Sequence, residues 1–196
     1  AVAETVAPCV LWIDEIEKAM AGATQGAADG GVSADALGVI LNWMQERKAD
    51  VFGVATANDV SALPAPLLRK GRFDEIFFVD NPNEEERAAN IRTTLKGYNR
   101  TVEGIDIDAI VAATHDYAGV EVATLIPTAL FTAFNDGARE LRTEDLLQAA
   151  RETVPISKTM SEQLKRLRDW AGEGRARPAT RKVTAKASTG ARKLDL

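Results

Sequence analysis

Two uninterrupted apolar runs, separated by a helical pattern, constrain the fold of this chain more than any other feature. The runs occupy residues 9–13 and 51–56. Unbroken runs of this length are typical of central strands in a parallel sheet, which are covered on both faces. Between them, residues 33–48 carry apolar side chains at intervals of three and four, which predicts a helix. Strands that alternate with helices predict an α/β fold.

The remainder of the chain predicts a helical subdomain and a tail. A third apolar run at residues 75–79 completes the predicted strands. Beyond Pro82 the periodicity becomes helical, and Pro127 predicts a kink or break inside one helix. The predicted helices cover residues 84–96, 106–114, 119–135, 143–153 and 160–171. The predicted domains are an α/β subdomain over 1–82, a helical subdomain over 83–171 and a disordered basic tail over 172–196.

Composition narrows the class of protein. Of the 196 residues, 45% are apolar and 27% are charged, as in an ordinary globular protein. No run of about 18 apolar residues is present, so we predict no transmembrane helix and no membrane partner. A single cysteine, Cys9, excludes an internal disulfide and favours a reducing, cytoplasmic setting. A single histidine, His115, excludes a metal cluster built from several histidines.

The net charge of −5 is the sum of a basic tail and an acidic remainder of the chain. Residues 173–196 contain seven basic and two acidic side chains, so this segment carries +5 and the remainder carries −10. An acidic body repels the phosphate backbone of nucleic acids. Only the tail is therefore expected to be able to bind nucleic acid.

Two carboxylates follow the first apolar run. Asp14 and Glu15 would lie at the carboxyl end of a buried strand, where open α/β sheets bind their ligands. A pair of acids there suits nucleotide hydrolysis, because one can hold Mg²⁺ and the other can polarise an attacking water. The alternative is a strand that simply ends in a solvated acidic turn.

Two further signals follow the second apolar run. Asn58 comes just after it and would lie beside Glu15 if the two strands are neighbours. Arg69 and Arg72 flank a glycine turn, and arginine suits bidentate contact with phosphate. Taken singly, these residues are compatible with an Asn-Asp turn and a solvated basic loop. Their order and spacing together favour a nucleotide site.

In this order, the motifs resemble those of the AAA+ ATPases. The Ile-Asp-Glu at residues 13–15 resembles the Walker B motif, and Asn58 resembles sensor 1. Arg69 and Arg72 resemble the arginine-finger pair, and residues 117–121 resemble the stretch that opens the sensor-2 helix. The resemblance extends to the end of the last predicted helix. It implies part of a parallel-sheet P-loop NTPase core followed by a helical lid.

A narrower resemblance is to one subgroup of this family. It is carried by residues 12–19, 54–59, 68–80 and 152–155. The subgroup is the cyanobacterial and plastid one named for hypothetical chloroplast frame forty-six. It implies no particular client.

The family resemblance implies hydrolysis of ATP with Mg²⁺ in a ring of identical subunits, a hexamer by family, that remodels an unknown protein client. Asp14 would bind ATP-associated Mg²⁺, Glu15 would act as the general base, and Asn58 would position the water and the γ-phosphate. Arg69, supported by Arg72, would reach the neighbouring subunit's site and stabilise transition-state charge.

The sensor-2 region departs from the family pattern. Gly119 and Val120 would line the adenine pocket, although Val120 stands where a small alanine is usual. No arginine occupies the first turns of this helix. The region resembles the branch of the family that lacks a sensor-2 arginine.

A second departure concerns the P-loop. No Gly-x-x-x-x-Gly-Lys-Ser/Thr occurs in the sequence, and in the family this motif precedes Walker B. The motif supplies a backbone cradle for phosphate, a lysine and a Mg²⁺ ligand. The chain is therefore expected to begin after the P-loop and to be inactive by itself.

Two alternatives to a remodelling motor remain open. Without the P-loop, the chain could serve as a regulatory or oligomerisation module. The basic tail could instead support a nucleic-acid motor or loader, although it contains no aromatic residue for base stacking.

The small-residue loop at 21–31 is either a disordered connection or, by family resemblance, a second pore loop facing the channel of a ring.

Overall fold

A computed structural model describes residues 2–24, 32–46, 48–69 and 71–180. The chain divides into two compact units, Ala1–Ile76 and Phe77–Leu196. The division falls six residues before the predicted boundary at 82/83, because the intervening segment is bound into the second unit. Within that unit, the Asn81 side-chain amide donates to the carbonyl oxygen of Asp116 over 2.9 Å.

The first unit contains the predicted parallel strands. Its elements are α1 (Val2–Thr5), β1 (Cys9–Ile13), α2 (Ile16–Thr24), α3 (Val32–Glu46), β2 (Val51–Ala55) and two 3₁₀ turns, Val60–Ala62 and Ala65–Leu68. The two strands pair in parallel from Cys9 opposite Val51 to Ile13 opposite Ala55. The predicted α/β arrangement is therefore confirmed for this pair of strands.

The strand pair is covered on one face only within the described residues. Ile16, Met20 and Leu67 form a buried cluster, against which apolar side chains of α3 pack. Strand side chains alternate between the two faces, so every second residue points away from this cluster. Val10, Trp12 and Phe52 are accordingly exposed, Trp12 to 61%. The expectation that both faces are covered is wrong for this part of the chain.

The third predicted strand is shorter than expected and belongs to the second unit. Only Phe77–Phe78 is extended (β3), and it pairs in parallel with Arg177–Pro178 (β4). The backbone N–H of Ala179 continues this pairing by donating to the carbonyl oxygen of Phe78 over 2.9 Å.

The prediction of disorder from residue 172 is therefore wrong up to residue 180. Ala171–Arg175 form a π-helical turn, and β4 follows it. Backbone hydrogen bonds to β3 stabilise this segment without any apolar cluster in its sequence. Residues 181–196 lie outside the described residues.

The second unit is otherwise helical. Its helices are α4 (Glu84–Gly97), α5 (Ile107–Ala113), α6 (Gly119–Asn135), α7 (Thr143–Glu152), α8 (Ile156–Thr159) and α9 (Ser161–Trp170). Five of the six were predicted, each to within one or two residues at either end. The short α8 was not, because a single turn has too few residues to show a helical period.

Local chemistry accounts for the start of α4. The Asn83 side chain accepts a hydrogen bond from the N–H of Glu86, and the Glu86 carboxylate accepts one from the N–H of Asn83, each over 2.9 Å. This reciprocal pair is a capping box, which satisfies two backbone donors that the helix leaves unpaired. The predicted Asn83 cap is confirmed.

The core of the second unit explains why α6 continues through Pro127. The helix is a single element from Gly119 to Asn135, so of the predicted kink or break the break is wrong, and the kink stays a prediction. Fully buried side chains flank the proline on both sides, and burying each one contributes about 1.5–3 kcal/mol. This packing offsets the hydrogen bond that proline removes. The buried core residues of α6 are Val122, Leu125, Ile126, Ala129 and Ala133.

A buried carboxylate holds the start of α7. Asp145 is 7% exposed and accepts two hydrogen bonds from the Arg139 guanidinium, over 2.7 and 2.8 Å, and one from the N–H of Arg142. The bidentate Arg139 contact is the main reason that the pKa of Asp145 is lowered from its ordinary value. Asp145 therefore stays ionised inside the unit.

Replacing Asp145 by alanine should reduce the free energy of unfolding of the helical unit by about 2–4 kcal/mol. A carboxyl group whose pKa is lower in the folded state stabilises above its unfolded pKa, and this stabilisation is lost as the pH falls. Wild-type stability should therefore drop below about pH 4. Urea unfolding at neutral and acidic pH measures both effects. The isosteric Asp145→Asn variant is the control, and an equally steep acid-induced loss in that variant would contradict the assignment.

Candidate functional site

The polar residues that follow β1 and β2 meet at the carboxyl ends of the two strands. Because the strands are parallel and neighbouring, the residues after each of them lie at one edge of the sheet. The Asn58 side-chain amide donates to Glu15 Oε1 over 3.0 Å. The predicted proximity of Asn58 and Glu15 is confirmed.

Thr56 organises this edge and was missed by sequence analysis. Its hydroxyl donates to Asp14 Oδ1 and accepts a hydrogen bond from the backbone N–H of Glu15 over 3.0 Å. The strand register predicts this contact. Ile13 lies opposite Ala55, so the residues that follow them, Asp14 and Thr56, are also neighbours. A hydroxyl at that position can orient the first carboxylate and fix the backbone of the second.

Glu15 has an unusual backbone and two partners for its carboxylate. Its φ is +48°, in the left-handed region that non-glycine residues rarely adopt. Such strain is concentrated at functional sites, where the surrounding structure imposes it. Lys18 donates to Glu15 Oε2 over 2.6 Å, while Asn58 occupies Oε1. The hydrogen bond to Glu15 is the main cause of a raised pKa for Lys18, which keeps the ammonium charged.

The predicted role of Asp14 as a Mg²⁺ ligand stays a prediction, with which its surroundings are compatible. Its side chain is exposed, and its second oxygen makes no hydrogen bond within the described residues. Among those residues, no three His, Cys, Asp or Glu side chains come together as a complete metal site. Proteins usually hold Mg²⁺ through one or two carboxylates together with substrate phosphates and water. An accessible carboxylate with one oxygen held by Thr56 fits that mode of binding.

The two candidate arginines have different surroundings. They lie after the second 3₁₀ turn, whose Leu67 is fully buried, and Gly71 with a φ of +88° lies between them. Arg69 is exposed, and its side chain makes no hydrogen bond or ion pair with the described part of the chain. Arg72 Nη1 donates to the carbonyl oxygen of Leu41 in α3 over 2.6 Å. Arg72 therefore tethers the loop to its own unit, a contact that the sequence did not indicate.

Gly119 and Val120 belong to the second unit, and their predicted role at an adenine pocket stays a prediction. The carbonyl oxygen of Gly119 accepts a hydrogen bond from the Asn90 side chain over 2.7 Å. A Cβ added at Gly119 would lie 3.4 Å from the same Asn90 nitrogen. The Val120 side chain is exposed.

The predicted pore loop lies largely outside the described residues. Its first part belongs to α2, and residues 25–31 are not described. None of the helices among the described residues has the length and apolarity of a membrane span.

Comparison with known proteins agrees with the motifs. Residues 1–81 match the model of the ATPase family associated with various cellular activities, AAA. The AAA domain-containing protein ycf46 of Pyropia yezoensis is 44% identical over 180 residues, which are 91% of this chain and 36% of that protein. The ycf46 protein of Guillardia theta is 38% identical over 91% of this chain and 35% of its own length.

A more distant relative is the ATP-dependent zinc metalloprotease FtsH of Acidothermus cellulolyticus. It is 32% identical over 149 residues, or 73% of this chain and 22% of that protein. The chain thus spans about a third or less of the length of these relatives. Three observations agree: the parallel strands with their motif residues, the family match and the similarity to ycf46. They show that this chain belongs to the AAA family, as a ycf46-like AAA+ module with a P-loop NTPase-type fold followed by a helical part.

Proposed function

We propose that the full-length protein hydrolyses ATP at the carboxyl ends of β1 and β2. The observation that carries this proposal is the hydrogen bond between the Asn58 amide and Glu15 Oε1. It joins a carboxylate that can accept a proton to an amide that can orient water, at the sheet edge where α/β proteins bind ligands. The AAA family match and the ATP-dependent FtsH relatives support the choice of ATP.

Each polar residue at this edge of the sheet has its own role in the proposed reaction. Asp14 would hold Mg²⁺, which supplies charge neutralisation on the phosphates when bound. Glu15 acts as the general base, which accepts a proton from the attacking water. To do so, one of its oxygens gives up the hydrogen bond from Asn58 or Lys18 and accepts one from that water. Asn58 orients that water and the γ-phosphate. Thr56 keeps Asp14 in place through its hydroxyl.

Arg69 acts on the nucleotide of a neighbouring subunit in a ring, a hexamer by family resemblance. Its exposure supports this role, since a guanidinium that pairs with none of the described residues of its own chain is available to a neighbouring subunit. Arg72 supports it indirectly, because its contact with Leu41 holds the loop. Head-to-tail contacts between identical subunits close into such rings. The ring would use ATP hydrolysis to remodel a protein client.

In the full-length protein, Asn58→Ala should lower kcat by about 10²-fold, because the donor that orients water and phosphate is lost. The dissociation constant for Mg²⁺-ATP should stay close to that of wild type. Steady-state phosphate release and equilibrium nucleotide titration measure the two quantities. Asn42→Ala, an exposed asparagine on α3 of the same unit, is the matched control. Wild-type protein without ATP turnover, or unchanged kcat in Asn58→Ala, would contradict the proposed function.

The 196-residue chain serves as a reference in the same assay. It contains no P-loop sequence, so it should release no phosphate above background. Turnover by this chain that is abolished by Asp14→Ala would show that the phosphate cradle lies elsewhere.

A further inference from the structure

A buried carboxylate next to the site has no role in the mechanism described above. Glu17 lies in the first turn of α2 and is only 6% exposed. Its Oε1 accepts a hydrogen bond from the backbone N–H of Asn58 over 3.1 Å. Its Oε2 is buried and makes no hydrogen bond within the described residues. A buried carboxylate oxygen without a partner is costly, so self-contained stability does not explain the presence of a glutamate here.

The hydrogen bond from the Asn58 N–H to Glu17 lies just beyond the last backbone pairing between the two strands. The N–H of Thr56 donates to the carbonyl oxygen of Ile13, and the N–H of Ile16 donates to that of Thr56. After Thr56 the pairing between the strands ends. Within the described residues, the N–H of Asn58 makes no hydrogen bond to the main chain, and Glu17 is its acceptor. Glu17 therefore fixes the residue whose side chain contacts Glu15.

These contacts form a continuous connection from α2 to the carboxylate of Glu15. Glu17 holds the backbone of Asn58, and the side chain of Asn58 holds Glu15 Oε1. The first turn of a helix favours a negative charge, because the helix dipole is positive at that end. A carboxylate at this position accepts the loop N–H more strongly than a neutral group would.

We propose that Glu17 is a positioning residue for ATP hydrolysis, which acts through the backbone of Asn58 and has no contact with the nucleotide. This inference rests on the proposed function, because it assigns Glu17 to the same site. Glu17 determines where the Asn58 amide points, and so determines the geometry of the water between Asn58 and Glu15. A displacement of about 1 Å in such a group can cost about 10²-fold in rate.

The first test compares three variants of the full-length protein. Glu17→Ala removes the acceptor and should lower kcat by about 10- to 10²-fold while leaving KM for ATP unchanged. Glu17→Gln keeps an oxygen acceptor at the same distance and should restore most of kcat. Glu17→Asp keeps the charge but is shorter, so its kcat should lie between the two. Should Glu17→Ala fail to fold, Glu17→Asp and Glu17→Gln are compared with each other. A higher kcat in Glu17→Gln shows that the position of the acceptor oxygen matters more than its charge, as the proposal requires.

A double-mutant cycle tests whether Glu17 acts through Asn58. If it does, Glu17→Ala combined with Asn58→Ala should be no slower than Asn58→Ala alone, because the amide to be positioned is absent. The matched control is Asp145→Ala, which removes a carboxylate buried to the same degree in the other unit. Its effect on kcat should be the same in the wild-type and Asn58→Ala backgrounds. Additive effects of Glu17→Ala and Asn58→Ala would overturn the proposal.

A readout without catalysis separates this inference from the proposed function. Amide hydrogen exchange at Asn58 should become faster in Glu17→Ala and stay slow in Glu17→Gln, since only the former lacks the acceptor. Absence of ATP hydrolysis by the wild-type protein would end the proposed function and with it the catalytic role of Glu17. Normal wild-type hydrolysis with unchanged exchange at Asn58, or with a KM effect alone, would overturn the role of Glu17 and leave the proposed function intact.

Discussion

Full-length Arg69→Ala should bind ATP as tightly as wild type and hydrolyse it about 10³- to 10⁵-fold more slowly, the range for an arginine that stabilises transition-state charge in phosphoryl transfer. Arg69 is exposed and has no partner in the described part of its own chain. Its loss therefore leaves the fold of the subunit unchanged. Phosphate release under steady-state conditions gives the rate, and a nucleotide titration gives the affinity.

Mixing two inactive variants tests whether Arg69 acts in trans. An Arg69→Ala subunit keeps Glu15, and a Glu15→Gln subunit keeps Arg69. Where the two meet in the correct order, a site with an intact Glu15 receives an intact Arg69, so activity should return. Arg92→Ala, which removes an exposed arginine on α4, is the control and should keep wild-type activity. If mixed rings form and stay inactive, Arg69 acts within its own subunit or only supports the fold.

Glu15→Gln in the full-length protein should retain ATP binding and lose about 10²- to 10⁴-fold in kcat, the contribution of a general base. The amide keeps the size of the side chain and can still accept the hydrogen bond from Asn58 at its oxygen. It cannot accept a proton from water. Single-turnover phosphate release separates the chemical step from product release, and Mg²⁺-ATP binding is measured in parallel.

The control for Glu15→Gln makes the same chemical change at an exposed site. Glu85 lies in the first turn of α4 with its side chain exposed, and Glu85→Gln should keep wild-type kcat. Loss of Mg²⁺-ATP binding in Glu15→Gln would instead make Glu15 a metal or structural residue. Such a result would remove the base from the proposed mechanism while leaving Arg69 to be judged separately.

Most of the helices follow from chemistry that is local in the sequence. The capping box of Asn83 and Glu86 determines where α4 begins, and the apolar period places α6 at Gly119–Asn135. These signals involve residues within one or two turns of each other, so they can be recognised in one dimension. Pro127 shows the limit of such rules, because buried neighbours outweigh its local preference.

The centre of the candidate site also follows from the sequence. Asp14, Glu15 and Asn58 come directly after apolar runs, and a parallel arrangement brings the ends of such strands together. Only the assumption that the two strands are neighbours was needed. Thr56 and Glu17 escaped recognition because a threonine after a strand and a glutamate in a helix are common, and their contacts with Asp14 and Asn58 appear only once the strands are aligned.

The sequence by itself determined most of the longer helices, the parallel strand pair and the residues Asp14, Glu15 and Asn58 at its carboxyl edge, because these depend on short-range periodicity and on one topological rule. Only the tertiary structure decided that Trp12 is exposed, that Arg72 binds the carbonyl oxygen of Leu41, and that Arg177–Pro178 pairs with Phe77–Phe78. The last two contacts join residues 31 and 100 positions apart. No local pattern encodes such contacts, since they depend on which surfaces and backbone edges remain available after the elements have packed.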